Sequence, residues 1–169
     1  GNITQLDHAF GIVMKGLDDL GLRENTIVFF TSDNGPEGKG NTGRTRGSTG
    51  GLRGRKRDSH EGGIRVAGIV RWPGQIAPGT VSTVPVIGSD IFTTVLGIVG
   101  IDTPRDRTID GADMRPAFKG QPVERTVPLF WRTHIAPEKS RAAMRIGDWK
   151  IVADRSLTEF QLYEIEKDW

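Results

Sequence analysis

The sequence contains no cysteine. Disulfide bonds, thiolate metal sites and a cysteine nucleophile are therefore excluded within these 169 residues. No stretch approaches the roughly 18 apolar residues of a membrane span, and no charged-then-apolar leader opens the chain. The formal net charge of +2 is too small to indicate a nucleic-acid partner.

The composition is that of a folded chain. Hydrophobic residues make up 36% and charged residues 26%, which allows a packed core and argues against global disorder. The length suits one domain with or without a small appendage. The chain opens on Gly1-Asn2 and passes at once into a helical pattern, so we interpret it as the C-terminal part of a longer protein.

The first 31 residues predict a helix followed by a strand. Apolar residues recur at spacings of three and four, at Ile3, Leu6, Phe10, Val13, Leu17 and Leu20. Asn2 is the expected N-cap, and Gly21 suits the left-handed position after the helix. The run 26–31 is apolar on both faces, which is typical of a central strand covered on both sides.

The rest of the chain predicts shorter elements. We expect a strand over 64–72, a short strand through Val81, Val84 and Val86, and a helix capped by Ser89 and ended by Gly100. Residues 100–125 are predicted to be a surface connection. Three or four short strands, at 126–132, 142–146, 149–153 and 159–163, predict a small antiparallel sheet. The predicted fold class is therefore α/β with an antiparallel addition.

Asp33 and Asn34 follow the first predicted strand directly. A carboxylate and an amide carbonyl are hard oxygen donors, suited to calcium or magnesium. Open α/β sheets place their ligands at the carboxyl ends of strands, where this pair lies. A simple tight turn is the alternative, because Asp, Asn and Gly tolerate left-handed geometry. Calcium usually takes six or more ligands, so further donors must come from elsewhere.

A glycine-rich basic stretch follows. Between Lys39 and Arg57 there are seven basic residues, six glycines and no acid. Such a stretch is either a solvated loop or an anion-binding segment, and a lysine about 4 Å from a sulfate oxygen gains roughly 4 kcal/mol at an effective dielectric of 20. The stretch contains no aromatic residue for base stacking, which argues against a nucleic-acid groove. Glu61 is predicted to fix the backbone by local pairing, with Arg65 nearby.

Six segments together resemble the sulfatase family, in the family's order. They are NTIVFFTSDNG at 25–35, LRGRKRDSHEGGIR at 52–65, RWPG at 71–74, SDIFTTVL at 89–96, IDGAD at 109–113 and RIGDWK at 145–150. Thr93 and Ala67 stand where the family usually carries proline. The resemblance covers nearly the whole chain.

The resemblance implies an alkaline-phosphatase-like fold, with an α/β core portion at 1–115 and a small antiparallel subdomain at 116–169. It implies that Asp33 and Asn34 bind calcium or magnesium and that Lys56 contacts the sulfate. His60 is a further candidate for contacting substrate. The implied reaction is hydrolysis of aryl or carbohydrate sulfate monoesters by a formylglycine nucleophile, in a periplasmic, secreted or lysosomal protein.

The Cys/Ser-x-Pro-x-Arg nucleophile motif and the family's paired aspartates have no counterpart here. These 169 residues alone are therefore predicted neither to hydrolyse sulfate esters nor to bind calcium tightly. Two alternatives stay open. One is a phosphodiesterase or phosphonate hydrolase of the same superfamily, and the other is a non-catalytic module that binds sulfated polysaccharide through residues 39–57.

Overall fold

The computed structural model describes residues 1–38, 47–135 and 138–168. The longer helices are α1 (Asn2–Asp19) and α3 (Asp90–Val99), with a single turn, α2 (Glu61–Ile64), between them. Two strands, β1 (Val28–Thr31) and β2 (Gly68–Arg71), form one antiparallel sheet. Four more strands form a second antiparallel sheet in chain order: β3 (Leu129–Arg132), β4 (Ala142–Ile146), β5 (Trp149–Ala153) and β6 (Phe160–Glu164). Short 3₁₀ turns occupy Arg23–Asn25, Arg115–Lys119 and Glu138–Ser140.

The predicted N-terminal helix is confirmed, but its cap lies one residue earlier than expected. Gly1 holds the N-cap position and Asn2 is already helical, because the first helical hydrogen bond runs from Gln5 N to Gly1 O, at 3.1 Å. Gly21 has φ of 69°, the predicted left-handed conformation. Phe10 packs edge-on against Phe30, with ring centroids 5.2 Å apart, and this contact joins α1 to β1.

β1 is less covered than its composition predicts. It pairs with β2 from Val28↔Arg71 to Thr31↔Gly68, and Val28, Phe29 and Phe30 are only half-buried. Within the described residues, β1 is therefore not covered on both faces, contrary to the prediction. It pairs with β2 alone in that part of the chain. β2 is shorter than the predicted 64–72 because Ile64 ends the α2 turn.

The predicted strand through Val81, Val84 and Val86 is absent from the described structure. Pro85 lacks a backbone N–H and cannot donate to a ladder, and Val81 is 87% exposed. α3 forms as predicted and ends at Gly100, with φ of 73°. The Ser89 side chain makes no capping hydrogen bond, contrary to expectation, because Ser89 itself has helical dihedrals. The predicted surface connection contains the Arg115–Lys119 turn.

A buried ion pair closes the start of α3. Asp90 is fully buried, and its two carboxylate oxygens accept from Arg125 Nη1 at 2.8 Å and Nη2 at 2.6 Å. Asp90 Oδ1 also accepts from Ala112 N at 2.9 Å. This bidentate arrangement ties α3 to the chain that leads into β3.

The C-terminal sheet is the region that the sequence predicts best. β4 and β5 have the predicted bounds, and β3 and β6 differ by up to three residues at their ends. Small and branched residues fill its interior, since Ala143, Val152 and Ala153 are buried beside Leu129 and Ile165. The division of the chain at residue 115 stays a prediction.

Candidate active site

Asp33 and Asn34 lie in the turn that follows β1. Ser32 Oγ donates to Asn34 O at 3.0 Å and holds the turn closed. Asn34 Nδ2 donates to Gly35 O at 2.8 Å, which commits the amide nitrogen and leaves Oδ1 as the acceptor. The Asp33 carboxylate is exposed, with a long contact of 3.4 Å from Ser32 Oγ. Two hard oxygen donors are therefore available at the end of the strand.

Within the described residues, no group of three or more His, Asp and Glu side chains is arranged to hold a metal ion. Asp33 and Asn34 fit a calcium or magnesium ion because both offer hard oxygen donors. Two donors are too few to hold such an ion, so the pair would form only part of the ligand set. The assignment of these two residues as metal ligands stays a prediction.

The turn is locked against the segment 52–65, here called the signature loop. Gly35 N donates to Gly63 O at 2.8 Å, and Lys56 N donates to Pro36 O at 2.9 Å. A Cβ on Gly35 would lie 2.0 Å from Gly62 O, a distance that no side chain tolerates. The structure thus brings the Asp33 turn and the backbone of Lys56 together, although 22 positions separate Asn34 from Lys56 in the sequence.

The signature loop is wound tightly on itself. Its internal backbone bonds run from Asp58 N to Arg55 O at 2.8 Å and from Gly62 N to Arg53 O at 2.7 Å. A Cβ on Gly63 would lie 2.0 Å from Asp58 O, so the glycine pair is required by backbone packing. Arg57 has φ of 75°, a strained conformation for a non-glycine residue.

Lys56 faces Glu37, which lies just upstream of the basic stretch. Its Nζ is 3.7 Å from Glu37 Oε2, and Arg57 Nη1 binds the other carboxylate oxygen. The hydrogen bonds from Arg57 and from Gly38 N lower the pKa of Glu37. The Lys56 side chain is 37% exposed, so its ammonium is oriented and still accessible to a ligand.

Two arginines of the basic stretch form hydrogen bonds within the protein, which the interpretation as a solvated loop does not predict. Arg55 Nη1 donates to Glu37 O at 2.9 Å and to Gly47 O at 3.0 Å, and Arg53 Nη1 donates to Tyr163 Oη at 2.7 Å. These arginines stabilise the loop through acceptors that lie outside the stretch or in its backbone. Residues 39–46 lie outside the described residues.

Glu61 is the centre of a second ion-pair group, and the predicted pairing with Arg65 is confirmed. Arg65 Nε donates to Glu61 Oε2 at 2.6 Å, and Lys150 Nζ donates to Oε1 at 2.7 Å. Lys150 is 1% exposed and comes from the middle of β5, and its Nζ lies 5.3 Å from the centroid of the Trp131 ring. β5 is therefore tied to the signature loop by a buried charge pair.

The pKa values of Glu61 and Lys150 are both lowered, for different reasons. Burial raises the pKa of Glu61, but the bonds from Lys150 and Arg65 outweigh it, and the net shift is downward. Burial also lowers the pKa of Lys150, and the contact with Glu61 opposes it only in part. The carboxylate has two cationic partners and the ammonium has one anionic partner, so Glu61 is firmly ionised.

The sequence motifs did not predict the contact between Lys150 and Glu61. Strand alternation carried the signal, because a period of two places Lys150 on the same face of β5 as the apolar Val152. A lysine on an inward face needs a carboxylate partner.

His60 lies in a buried cluster. Its Nδ1 is 2.6 Å from Asp58 Oδ1, and its Nε2 is 3.4 Å from Tyr163 Oη. The ring is edge-on to Tyr163, with centroids 5.9 Å apart, and the residue is 7% exposed. Burial raises the pKa of Asp58, but hydrogen bonds from His60 and Ser140 hold it below its ordinary value. This geometry favours a supporting role for His60, and its contact with substrate stays a prediction.

Known proteins resemble this chain in sequence and in fold. The sulfatase family model matches residues 1–101. Rat (Rattus norvegicus) steryl-sulfatase is 45% identical over 121 residues, which is 70% of this chain and 21% of that protein. Mouse (Mus musculus) N-acetylgalactosamine-6-sulfatase is 42% identical over 134 residues, or 76% of this chain and 24% of that protein. The chain thus spans less than a quarter of the length of these relatives.

Solved structures agree. Ps i-CgsB in complex with k-i-k-neocarrahexaose superposes with a TM-score of 0.80 at 29% identity, covering 96% of this chain and 35% of that one. PsFucS1 sulfatase from Pseudoalteromonas sp. gives a TM-score of 0.72 at 28% identity, covering 95% of this chain and 33% of that one. The fold is the alkaline-phosphatase-like fold of these neighbours, as predicted. None of the helices in the described residues is long and apolar enough to span a membrane. By the family model and by the order of its motifs, the chain belongs to the sulfatase family.

Proposed function

We propose that the protein carrying this chain hydrolyses sulfate monoesters of aryl or carbohydrate alcohols. The observation that carries the proposal is the lock between the Asp33 turn and the signature loop. It brings the backbone of the Asp33 turn against the backbone of Lys56, which supports a single site with two oxygen donors and one accessible ammonium. That combination suits an anionic tetrahedral group bound jointly by a cation and a lysine.

In the proposed mechanism, Asp33 and Asn34 would supply two ligands to a calcium or magnesium ion, and that ion would supply Lewis-acid chemistry to the sulfate ester. Lys56 neutralises a second sulfate oxygen, and Glu37 keeps the lysine directed. The Glu61 group holds the loop against β5, so that Lys56 stays in place as charge develops. The nucleophile, expected to be formylglycine, would come from outside these 169 residues.

The proposed substrate class follows from what the relatives share. Their names specify a steryl sulfate and an N-acetylgalactosamine 6-sulfate, and one structural neighbour holds a neocarrahexaose. The sulfate ester is common to the two named relatives, and we extend it to this protein. A periplasmic, secreted or lysosomal location is proposed on the same ground.

The test is hydrolysis of 4-nitrophenyl sulfate by the full-length protein and its Lys56→Ala variant. We expect kcat/KM to fall by about 10²–10³, the usual cost of removing one preorganised charge partner. Lys119→Ala is the matched control, because Lys119 is an exposed lysine on the 3₁₀ turn far from the signature motif in sequence. It is expected to match the wild type.

Two outcomes would contradict the proposal. Cleavage of bis(4-nitrophenyl) phosphate without cleavage of the aryl sulfate would identify a phosphodiesterase instead. Turnover of the aryl sulfate by residues 1–169 alone would show that the nucleophile lies within this chain.

A further inference from the structure

The C-terminal sheet carries a cationic cavity that the proposed active site does not use. Its lining residues are Arg132, Thr133, His134, Arg141 and Arg155, and we call it the arginine cavity. Its volume is ≈ 450 Å³, within the range of small-molecule sites. None of the described residues that line it is acidic.

Strand register builds the cavity. Arg132 is the last residue of β3 and is followed by Thr133, whose N donates to Arg141 O at 3.0 Å. Arg141 N in turn donates to Ala153 O at 2.9 Å, and Arg155 lies two residues beyond that point. The strands β3, β4 and β5 therefore begin or end at the same end of the sheet, and each brings an arginine there.

Among the described residues, no carboxylate forms an ion pair with any of the three guanidinium groups. In the part of the chain that the structure describes, neither Arg132 nor Arg155 forms an ion pair. Arg141 Nη1 donates to His134 O, while its Nε is buried and has no hydrogen-bond partner among the described residues. Like charges at one edge repel one another unless they are solvated or face an anion. A buried, unmatched Nε on one of them favours the anion.

The nearest acid in sequence is already committed. Asp154 accepts from Thr158 N at 2.8 Å, from Glu159 N at 3.0 Å and from the Ser156 hydroxyl. These hydrogen bonds, with that of Ser156 the largest, hold the pKa of Asp154 far below its usual range. The carboxylate thus stabilises the turn after β5 and does not neutralise the arginine cavity.

The cavity is connected to the signature loop through one residue. Ser140, which precedes Arg141, is 2% exposed, and its side chain lies close enough to Asp58 to help lower the pKa of that carboxylate. Asp58 lies two positions after Lys56. Ser140 and Asp58 therefore join the lining of the arginine cavity to the signature loop that carries Lys56.

We propose that the arginine cavity binds a second sulfate or carboxylate group of a sulfated glycan whose reacting sulfate lies at Lys56. Planar guanidinium groups match the paired oxygens of such groups, as an ammonium does not. The inference rests on the proposed function for its substrate class and on the cavity for its site. It selects a polyanionic oligosaccharide over a small aryl or steroid sulfate.

The test measures the affinity of a sulfated carrageenan hexasaccharide by isothermal titration calorimetry. The full-length protein carries Asp33→Ala in every sample, to prevent turnover of the probe. Arg132→Gln/Arg155→Gln is compared with Arg105→Gln/Lys119→Gln, which removes the same charge from exposed residues outside the cavity. We expect Kd to rise at least about tenfold in the first variant and to change less than about twofold in the second. Arg132 and Arg155 are exposed, so both variants are expected to fold, and thermal denaturation checks this.

An equal loss in both variants, or no measurable binding of the probe before substitution, would overturn the inference. So would equally tight, arginine-dependent binding of single-stranded DNA of the same charge. Hydrolysis of 4-nitrophenyl sulfate by the unsubstituted protein is measured separately. If hydrolysis occurs without arginine-dependent binding, the inference fails and the proposed function stands. Arginine-dependent binding without hydrolysis would support anion binding by the arginine cavity and would contradict the proposed function.

Discussion

Glu37 and Glu61 each pair with two cationic side chains of the candidate active site, and the two glutamates lie in different environments. Glu37 binds Lys56 and Arg57, and its side chain is 38% exposed. Glu61 binds Arg65 and Lys150, and its side chain is 9% exposed. Each carboxylate therefore has two cationic partners, and solvent access is what separates them.

The difference in solvent access separates two tasks. At Glu61, low dielectric strengthens the attraction, and desolvation makes an unpaired charge costly, so the contact fixes the position of the loop against β5. At Glu37, water and salt screen the attraction, so Lys56 is directed without being sequestered. The proposed role of Lys56, in which its ammonium would exchange a carboxylate for a sulfate, needs the second kind of partner.

The largest expected effect comes from breaking the buried group. Lys150→Met keeps the volume of the side chain but leaves Glu61 with Arg65 alone, in a site with little water. We expect a loss of about 3–5 kcal/mol in the free energy of unfolding, measured by urea denaturation. Lys167→Met, which removes an exposed partner of Glu164, is the control and is expected to cost far less.

Adding Glu61→Gln to Lys150→Met should recover part of the loss, because the uncompensated charge is then removed as well. Equal denaturation midpoints for Lys150→Met and Lys167→Met would show that the buried pair does not hold the sheet to the loop.

Lowering the pH is expected to reduce the stability of the fold by a smaller amount than Lys150→Met does. The pKa values of Glu61 and Asp58 are lowered in the folded state from ordinary values of 4.5 and 3.8. A lowered carboxylate pKa contributes stability that is present above the unfolded-state pKa and is lost as pH falls through the folded-state pKa. Thermal stability should therefore fall as pH decreases below about 4.5, and Asp58→Asn should make that fall shallower.

Asp106→Asn is the matched control for the acid series. The pKa of Asp106 is lowered by Arg107, its immediate neighbour in sequence, and that contact is also open to the unfolded chain. Its removal should leave the acid dependence unchanged. An acid dependence that is the same with and without Asp58→Asn would contradict the assignment of this carboxylate.

Local patterns predicted the parts of this structure that depend on local physics. Periodicity of 3.6 located α1 and α3, and short apolar runs in succession located β4 and β5. The valines at 81–86 misled, because β-branched residues predict a strand and a proline among them prevents pairing. Motif resemblance named Asp33, Asn34 and Lys56 as site residues, and the structure brings the backbones of their two loops into contact.

Those local patterns could not predict contacts between residues that are distant in sequence. Lys150 meets Glu61 across 89 positions, and Arg53 meets Tyr163 across 110. No local period relates such residues, and register within the C-terminal sheet decides which side chains face the loop. The arginine cavity has the same origin, because it depends on where three strands begin and end.

The smallest expected effect sharpens the comparison of the two glutamates. Glu37→Gln removes the charge that faces Lys56 and Arg57 and keeps the shape of the side chain. Because the group is exposed, the midpoint of thermal denaturation should change little at low salt, and the small difference from wild type should vanish near 1 M NaCl, where the Debye length is about 3 Å. The deficit of Lys150→Met should persist in the same salt series, since buried charges are poorly screened. If the Glu37→Gln deficit instead matched that of Lys150→Met and survived high salt, the two carboxylates would share one role, and the separation between fixing the loop and directing Lys56 would be wrong.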